Sequence, residues 1–227
     1  MSFDDPFARA AEYDGDSEAV SAALSEWRSD SERARTAKRN DESSAERDDA
    51  PNSVDGSSAD REPSPARVVA DSDVLAADLL IGGEAREALD LLRSHSWTTL
   101  VASDPLLDDA EAVIATLADE GLTGDWRAAV EQWREPVTHP AGDHPALASA
   151  YRGAAMQIVS FDPSLTGPGT AAGLRDRLPV SVREPRAFAT VFSPERLYPE
   201  AVGGEYPGPD RDPRSMDRLG TGEDQHG

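Results

Sequence analysis

The chain has 227 residues, with 44 Asp and Glu against 22 Lys and Arg, which gives a formal net charge of −22. This excess of negative charge argues against a nucleic-acid-binding protein with a broad basic face. The absence of cysteine excludes disulfides and sites built on a thiolate. No apolar run approaches the ~18 residues needed to cross a bilayer.

The basic residues are almost all arginine, since Lys38 is the only lysine. Such a balance is typical of proteins from salt-in halophiles, so we attribute much of the charge to the habitat of a halophilic archaeon rather than to function. The first residues lack the basic and apolar regions of a signal peptide, and we expect a cytoplasmic protein without a membrane partner.

The first third of the chain predicts an N-terminal arm over 1–39 and a disordered acidic linker over 40–66. The linker has too few apolar residues to offset the entropy of ordering it. Within the arm, four apolar residues share one face of a short amphipathic helix: Val20, Ala23, Leu24 and Trp27. This helix is either a marginal surface helix or a docking helix for a protein partner.

The folded domain is predicted over 67–197, with a disordered tail over 198–227. Segments rich in β-branched and apolar residues predict four strands: 67–71, 98–103, 156–160 and 180–182. Helical patterns alternate with them over 74–80, 84–93, 106–120, 125–134, 145–151, 173–178 and 185–192. This alternation predicts an α/β sandwich of three layers, with a central parallel sheet of four or five strands.

Acidic residues follow the predicted strands or begin the helices beside them: Asp71, Asp73, Asp108, Asp109, Asp143 and Asp162. At the carboxyl edge of a parallel sheet, these carboxylates would converge and repel one another unless a cation lay between them. Their hard oxygens suit Mg²⁺ or Mn²⁺, which can activate water for an in-line displacement at phosphorus. The alternative is that Asp109 and Asp143 bind no ligand and are simply acidic residues at the N-terminal ends of helices, where capping and the helix dipole favour them.

The order of these motifs resembles that of a PIN domain over about 67–197. The stretch 68–75 is similar to the opening strand of that family and its first acid, and 103–109 is similar to its second motif. The segments 156–162 and 178–188 resemble its fourth acidic motif and its closing strand with a Pro-x-x-Phe helix.

The resemblance implies that Asp71, Asp109, Asp143 and Asp162 hold one or two Mg²⁺ or Mn²⁺ ions. It also implies supporting roles for two residues, with Asp73 orienting a neighbour or a water molecule and Ser160 donating a hydrogen bond near the site. Asp108 is an alternative to Asp109 as the second acid. If repulsion dominates this site, Asp71→Asn should leave the metal-free protein as stable or more stable.

PIN domains are commonly metal-dependent ribonucleases, so the first hypothesis is an endoribonuclease that cleaves RNA phosphodiesters with carboxylate-bound metal. Arg86, Arg152 and Arg183 are its candidate phosphate contacts. The alternative is an inactive PIN-like module that binds RNA or a protein. A third hypothesis, a small toxin-like subunit held by an antitoxin, fits less well with the long N-terminal arm.

Overall fold

The computed structural model describes residues 6–11, 13, 16–42, 61–140, 143–167 and 180–213. Five strands form one sheet, in which every described pairing is parallel and the order is β3-β2-β1-β4-β5. The strands are β1 (Ser64–Ala70), β2 (Thr99–Ser103), β3 (Arg134–Val137), β4 (Ala155–Val159) and β5 (Ser181–Arg183). The predicted α/β class with a central parallel sheet is confirmed.

Ten helices accompany the strands in the described ranges. They are α1 (Pro6–Ala10), α2 (Ser17–Glu42), α3 (Ser72–Leu80), α4 (Gly83–Arg93), α5 (Asp104–Leu117), α6 (Glu120–Val130), α7 (Pro145–Arg152), α8 (Pro163–Thr166), α9 (Pro185–Val191) and α10 (Pro194–Ala201). Parallel connections are right-handed, so the helices between β1 and β3 lie on one face of the sheet and α7 lies on the other. Accordingly, α7 packs against β1, β2 and β4.

The three central strands are apolar along most of their length because both faces of the sheet are covered. Val68 and Val69 in β1, Leu100 in β2, and Ile158 and Val159 in β4 are all completely buried. Such near-continuous apolar runs are expected of parallel strands with helices on both sides.

The edge strand β3 is the one described strand that the sequence did not predict, and the helices α1, α8 and α10 were not predicted either. Arg134–Val137 reads Arg-Glu-Pro-Val, which lacks the apolar run of a central strand. Pro136 is tolerated because β3 pairs on one side only, with β2. The predicted helix 125–134 lies earlier, as α6, because the Asp119 side chain caps it by accepting a hydrogen bond from the Leu122 backbone N–H at 2.8 Å.

The N-terminal helices pack on the domain, in contrast to the separate arm that the sequence predicts. Phe7 in α1 and Val20 and Leu24 in α2 belong to the main hydrophobic core and are almost fully buried. Helix α2 packs against α3 and α5, and it continues to Glu42, beyond the predicted helix. Most of the predicted linker, residues 43–60, lies outside the described residues, and its last residues, from Ser64, form the start of β1.

The C-terminal boundary also differs from the prediction. Residues 198–201 complete α10, and Tyr206 and Asp210 contact the turn before β2, where we expected a disordered tail. The predicted helix 173–178 and the last residues, 214–227, lie outside the described residues. None of the helices in the described part of the chain is long and apolar enough to span a bilayer.

Candidate functional site

The strand order reverses between β1 and β4, and ligands of open parallel sheets bind at such a switch point, beyond the carboxyl ends of the strands. The backbone N–H of Asp71 donates to the Val159 carbonyl at 2.8 Å, so Asp71 lies beside Ser160 at this edge. Four acidic side chains gather there, and we name them the carboxylate cluster: Asp71, Asp73, Asp109 and Asp162.

Asp71 is completely buried and forms the N-cap of α3. Its Oδ1 accepts hydrogen bonds from the backbone N–H of Ser72 at 2.8 Å and from the Ser72 hydroxyl at 3.2 Å. Its Oδ2 accepts a hydrogen bond from the Ser160 hydroxyl at 2.9 Å. Because these bonds stabilise the folded state, we now expect Asp71→Asn to destabilise the metal-free protein, contrary to the expectation from repulsion alone.

Asp73 ties the segment after β4 to the first turn of α3. Its Oδ1 accepts from the backbone N–H of Val74 at 2.6 Å, and its Oδ2 accepts from the backbone N–H of Phe161 at 3.0 Å. Burial and then the negative charge of Asp71 raise the pKa of Asp73 well above its usual value. These contacts fix the segment that carries Ser160, whose hydroxyl donates to Asp71; the supporting roles of Asp73 and Ser160 remain a prediction.

Asp162 reaches the cluster from the loop after β4. It is the N-cap of α8, and its Oδ1 accepts a hydrogen bond from the backbone N–H of Ser164 at 2.7 Å. Its own backbone N–H donates to the Ser160 hydroxyl at 3.0 Å, which fixes the start of the loop. Its second oxygen is turned toward the other carboxylates and makes no hydrogen bond to a described backbone N–H.

The choice between Asp108 and Asp109 is decided by the faces of α5. The side chain of Asp109 is 12 % exposed and accepts a hydrogen bond from Trp27 Nε1 at 3.1 Å. Burial raises the pKa of Asp109, although the Trp27 hydrogen bond and the charge of Arg28 oppose this effect. Asp108 is 61 % exposed and pairs with Arg127 at 3.0 Å, so only Asp109 belongs to the cluster.

Arg28 of α2 lies among the carboxylates, and each of its three nitrogens faces a different one. Its Nη2 is 3.0 Å from Asp71 Oδ1, its Nε is 3.5 Å from Asp109 Oδ2, and its Nη1 is 3.8 Å from Asp162 Oδ2. Burial alone would lower the pKa of Arg28, but the charges of Asp71 and Asp109 outweigh it and raise the pKa. The three acids therefore surround one cation.

Sequence reasoning missed Arg28, although a signal was present. The apolar stripe of the predicted helix includes Leu24 and Trp27, and Arg28 lies four residues after Leu24, on the same side of a helix. We interpreted that face as a possible docking surface for another protein. In the structure it packs on α3 and α5 of its own chain.

Asp143 makes no contact with the carboxylate cluster among the hydrogen bonds and ion pairs of the described residues. It lies in the bend before α7 and is exposed. Within the described ranges Asp143 forms no ion pair with Arg28, which pairs instead with Asp71, Asp109 and Asp162. The order of motifs in the sequence could not reveal this, because the loop between β3 and α7 sets the position of Asp143.

Of the three candidate phosphate contacts, only Arg183 lies at the carboxyl edge of the sheet, and none contacts the carboxylate cluster in the described ion pairs. Arg86 donates to Asp78 and its guanidinium stacks on the Phe7 ring, 4.4 Å from the centroid. Arg152 ends α7 and so lies at the amino end of β4. Arg183 ends β5 at the carboxyl edge, and its side chain donates to Gln157 at 2.6 Å.

The arrangement around Arg28 is a cation site, but it is filled by a side chain. Among the described residues, no group of three or more acidic or histidine side chains is placed so that it could hold a metal ion directly. The cluster nevertheless supplies the donors that Mg²⁺ and Mn²⁺ prefer, since the inward-facing oxygens of Asp71, Asp109 and Asp162 belong to carboxylates. Asp71, Asp109 and Asp162 are therefore the residues that would hold a metal if one bound here in place of the guanidinium.

A family model described as "Family of unknown function (DUF7384)" matches residues 62–214 of the chain, which is more than half of its length. The matched region begins just before β1 and includes the segment after α10. Helices α1 and α2, with Arg28, lie outside it. No curated protein and no solved structure matches the chain.

Proposed function

The chain belongs to DUF7384, a family of unknown function, and we propose that it is a metal-dependent ribonuclease whose carboxylate cluster binds Mg²⁺ or Mn²⁺. One observation carries the proposal. Three carboxylates from three different segments, Asp71, Asp109 and Asp162, converge on a single cationic group at the switch point of a parallel sheet. The ribonuclease activity itself comes from the resemblance to PIN domains, whose motifs follow the same order.

The charge balance of the cluster favours a divalent ion over the guanidinium. Four carboxylates face one positive charge, and burial makes such an imbalance costly. The raised pKa values of Asp73 and Asp109 express the same excess of negative charge and loss of water. A bound metal would supply two positive charges in place of one and would stabilise the attacking and leaving oxygens at the reacting phosphate.

The residues of the chain have distinct roles in this proposal. Asp71, Asp109 and Asp162 provide the ligand oxygens, whereas Ser160 and Asp73 hold the orientation of Asp71 and of the loop after β4. Asp143 is left out of the ligand set because of its exposed position away from these contacts. An RNA substrate implies that the protein acts in the cytoplasm.

A strand of RNA needs positive side chains at the carboxyl edge of the sheet, and α9 offers one whose described ion pair, to Glu84, is as long as 3.9 Å. Arg186 lies in the first turn of α9, just after β5 ends at the carboxyl edge, and its side chain is 81 % exposed. Arginine can bind a phosphate with two parallel hydrogen bonds. Repulsion by the acidic surface is short-ranged in strong salt, since the Debye length is about 3 Å at 1 M.

The second candidate function is an inactive module that binds RNA or a protein. The ion pairs of Arg28 favour it, because a cation built into the chain already compensates the charges of Asp71, Asp109 and Asp162. Such a protein would keep the fold and the cluster without needing a metal. The two candidates differ in whether Mn²⁺ binds at the cluster.

The test compares Asp109→Asn with Asp108→Asn in Mn²⁺ titrations and RNA-cleavage assays at about 2 M KCl, where distant charges are screened. The two variants make the same change at adjacent positions, one in the cluster and one on the surface. We expect Asp109→Asn to weaken Mn²⁺ binding about tenfold or more and to suppress cleavage, because a neutral amide replaces a charged ligand.

The control variant Asp108→Asn should bind Mn²⁺ and cleave RNA as the wild-type protein does. If wild-type protein binds no Mn²⁺ at millimolar concentrations, the inactive module is the better description. Equal losses in both variants would mean that general charge, rather than the cluster, attracts the ion.

A further inference from the structure

We propose that α2 carries a latch, formed by Trp27 and Arg28, which closes the carboxylate cluster and must leave it before a divalent cation and substrate can bind. The inference rests on the proposed function, because it concerns the regulation of the same site. In the closed state the chain supplies its own cation. The protein would therefore be held inactive by its N-terminal segment.

The contacts of the latch coincide with the atoms that a metal would need. Arg28 faces Asp71, Asp109 and Asp162 with a different nitrogen each, and its Nη2 also donates to the Ser72 hydroxyl at 2.9 Å. The neighbouring Trp27 occupies Oδ1 of Asp109 through its indole N–H. A metal at this place and the closed latch exclude each other, because both require the same inward-facing oxygens.

The latch is held more loosely than the part of α2 that precedes it. Val20 and Leu24 are almost fully buried in the core, whereas Trp27 is 42 % exposed and the side chain of Arg28 is 26 % exposed. Two of the three ion pairs, at 3.5 and 3.8 Å, are longer than a well-formed charged hydrogen bond. The helix can therefore stay anchored at Leu24 while the turn that carries the latch moves.

The driving force for opening is the charge that the latch leaves uncompensated. One guanidinium offsets one of four carboxylates, whereas a divalent ion offsets two. The free energy of metal binding therefore offsets the cost of breaking the ion pairs of Arg28. The stability of the closed latch determines the metal concentration at which the site opens. In a two-state equilibrium only the open molecules bind metal. The apparent metal affinity therefore equals the affinity of the open state multiplied by the fraction of molecules that are open.

The experiment measures the Mn²⁺ affinity of the full-length wild-type chain, of Arg28→Gln and of Arg127→Gln at constant high salt. Both substitutions remove one positive charge, but Arg127 pairs with surface acids and not with the cluster. If the open state is populated at 10 % or less, Arg28→Gln should bind Mn²⁺ at least about tenfold more tightly than wild type. Arg127→Gln should stay within about twofold of wild type, because screening at high salt removes distant effects.

A second measurement uses the wild-type protein alone and does not depend on the stability of a variant. Hydrogen exchange of the backbone amides over 25–29 should become faster when Mn²⁺ is added, because the latch turn is released. Exchange over 17–24, the anchored part of α2, should change much less. The substitution Asp109→Asn should abolish the Mn²⁺ effect on residues 25–29.

The outcomes separate the latch from the proposed function. If Mn²⁺ binds wild type and Arg28→Gln with equal affinity, and Asp109→Asn still weakens binding, the latch is wrong and the metal site stands. An unchanged exchange rate over 25–29 in metal-loaded protein also overturns the latch. If neither wild type nor Arg28→Gln binds Mn²⁺, the proposed function and the latch both fail.

Discussion

Two segments outside the domain that the sequence predicts, α1–α2 before it and the described residues 198–213 after it, pack on it in different ways. The N-terminal helix α2 reaches the carboxyl edge of the sheet and contacts the carboxylate cluster through Arg28. The segment after α10 reaches the opposite edge, at the turn before β2, where Tyr206 packs against the rings of His95 and Tyr198. Helix α2 therefore contacts the candidate functional groups, whereas the C-terminal segment contacts the turn before β2.

The C-terminal attachment combines aromatic rings and the hydrogen bond between His95 and Tyr206 with the hydrogen bonds that Ser96 donates to the Asp210 carboxylate. His95 donates from Nδ1 to the Leu91 carbonyl at 2.7 Å, so its Nε2 accepts the hydroxyl of Tyr206 at 2.6 Å. Trp97 and Tyr198 meet edge to face with centroids 5.5 Å apart. The ring contacts and the bond between His95 and Tyr206 involve none of the residues of the carboxylate cluster.

The N-terminal attachment combines an apolar anchor with a charged contact. Phe7 lies beneath the guanidinium groups of Arg86 and Arg93, and Leu24 is 3 % exposed in the core. Arg28 adds a contact whose partners are the acids proposed to bind metal. Under the proposed latch, stability and regulation are therefore separable along α2: the buried anchor determines whether the helix docks, and Arg28 determines whether the site is closed.

The largest effect that tests this separation is expected from Leu24→Ala. Loss of this buried side chain should lower the free energy of unfolding by about 2–5 kcal/mol. Because the anchor also positions the latch, Mn²⁺ affinity should rise at the same time. Chemical denaturation and Mn²⁺ titration of the same preparation measure the two effects.

Leu89→Ala is the matched control for the anchor. Leu89 is completely buried in α4, which packs on α3 and α9 rather than on α2. The Leu89→Ala variant should lose a similar amount of unfolding free energy, and its Mn²⁺ affinity should equal that of the wild-type protein. If both variants change the metal affinity equally, general loosening of the fold, not the docking of α2, controls the site.

The parts of the molecule that the sequence predicts well are those fixed by local pattern. The apolar runs around Val68, Leu100 and Ile158 fall in strands because both faces of a parallel sheet are buried. Asp71 and Asp162 are at the carboxyl edge because they follow such strands directly. The edge strand β3 was missed because its charged residues and proline give no strand pattern.

Contacts between segments far apart in sequence could not be predicted in the same way. Arg28 and Asp71 are joined only after α2 docks across α3 and α5, and no spacing in the sequence encodes that docking. The choice of Asp109 over Asp108 could be predicted more easily from the sequence. Asp109 lies three residues after the buried Leu106 and next to the buried Ala110, which places it near the apolar face of α5. Periodicity alone would have favoured it.

A smaller effect is expected from Tyr206→Phe at the C-terminal attachment. The substitution keeps the ring but leaves Nε2 of the buried His95 without its hydrogen bond, which should cost about 1 kcal/mol in unfolding free energy. The Mn²⁺ affinity should not change, because this attachment lies at the amino edge. Thermal unfolding with and without Mn²⁺ measures both quantities.

Tyr198→Phe serves as the control, since its hydroxyl makes no hydrogen bond to a residue that the structure describes while its ring packs on Trp97. It should retain the wild-type stability. A change of metal affinity in Tyr206→Phe would show that the two ends of the chain are coupled, against the comparison drawn above.

The smallest effect concerns the pH dependence of the contact between Asp210 and Ser96. Burial alone would raise the pKa of Asp210, but the hydrogen bonds that the Ser96 hydroxyl and backbone N–H donate lower it below its usual value. A carboxyl with a lowered pKa stabilises the fold above its unfolded pKa of about 3.9, and this contribution is lost as the pH falls through the folded value. The contribution is at most about 0.5 kcal/mol, because the carboxylate is exposed to solvent.

The measurement compares the unfolding free energies of wild type and Asp210→Asn between about pH 6 and pH 3 in strong salt, where long-range repulsion is screened. At pH 6 the wild type should be the more stable protein by that small amount. The difference should shrink toward zero at the acid end, because the wild-type carboxyl is then protonated and neutral, as the amide is. A difference that grows on acidification would mean that the folded pKa of Asp210 is raised, and the C-terminal attachment would then depend on charge in the opposite sense.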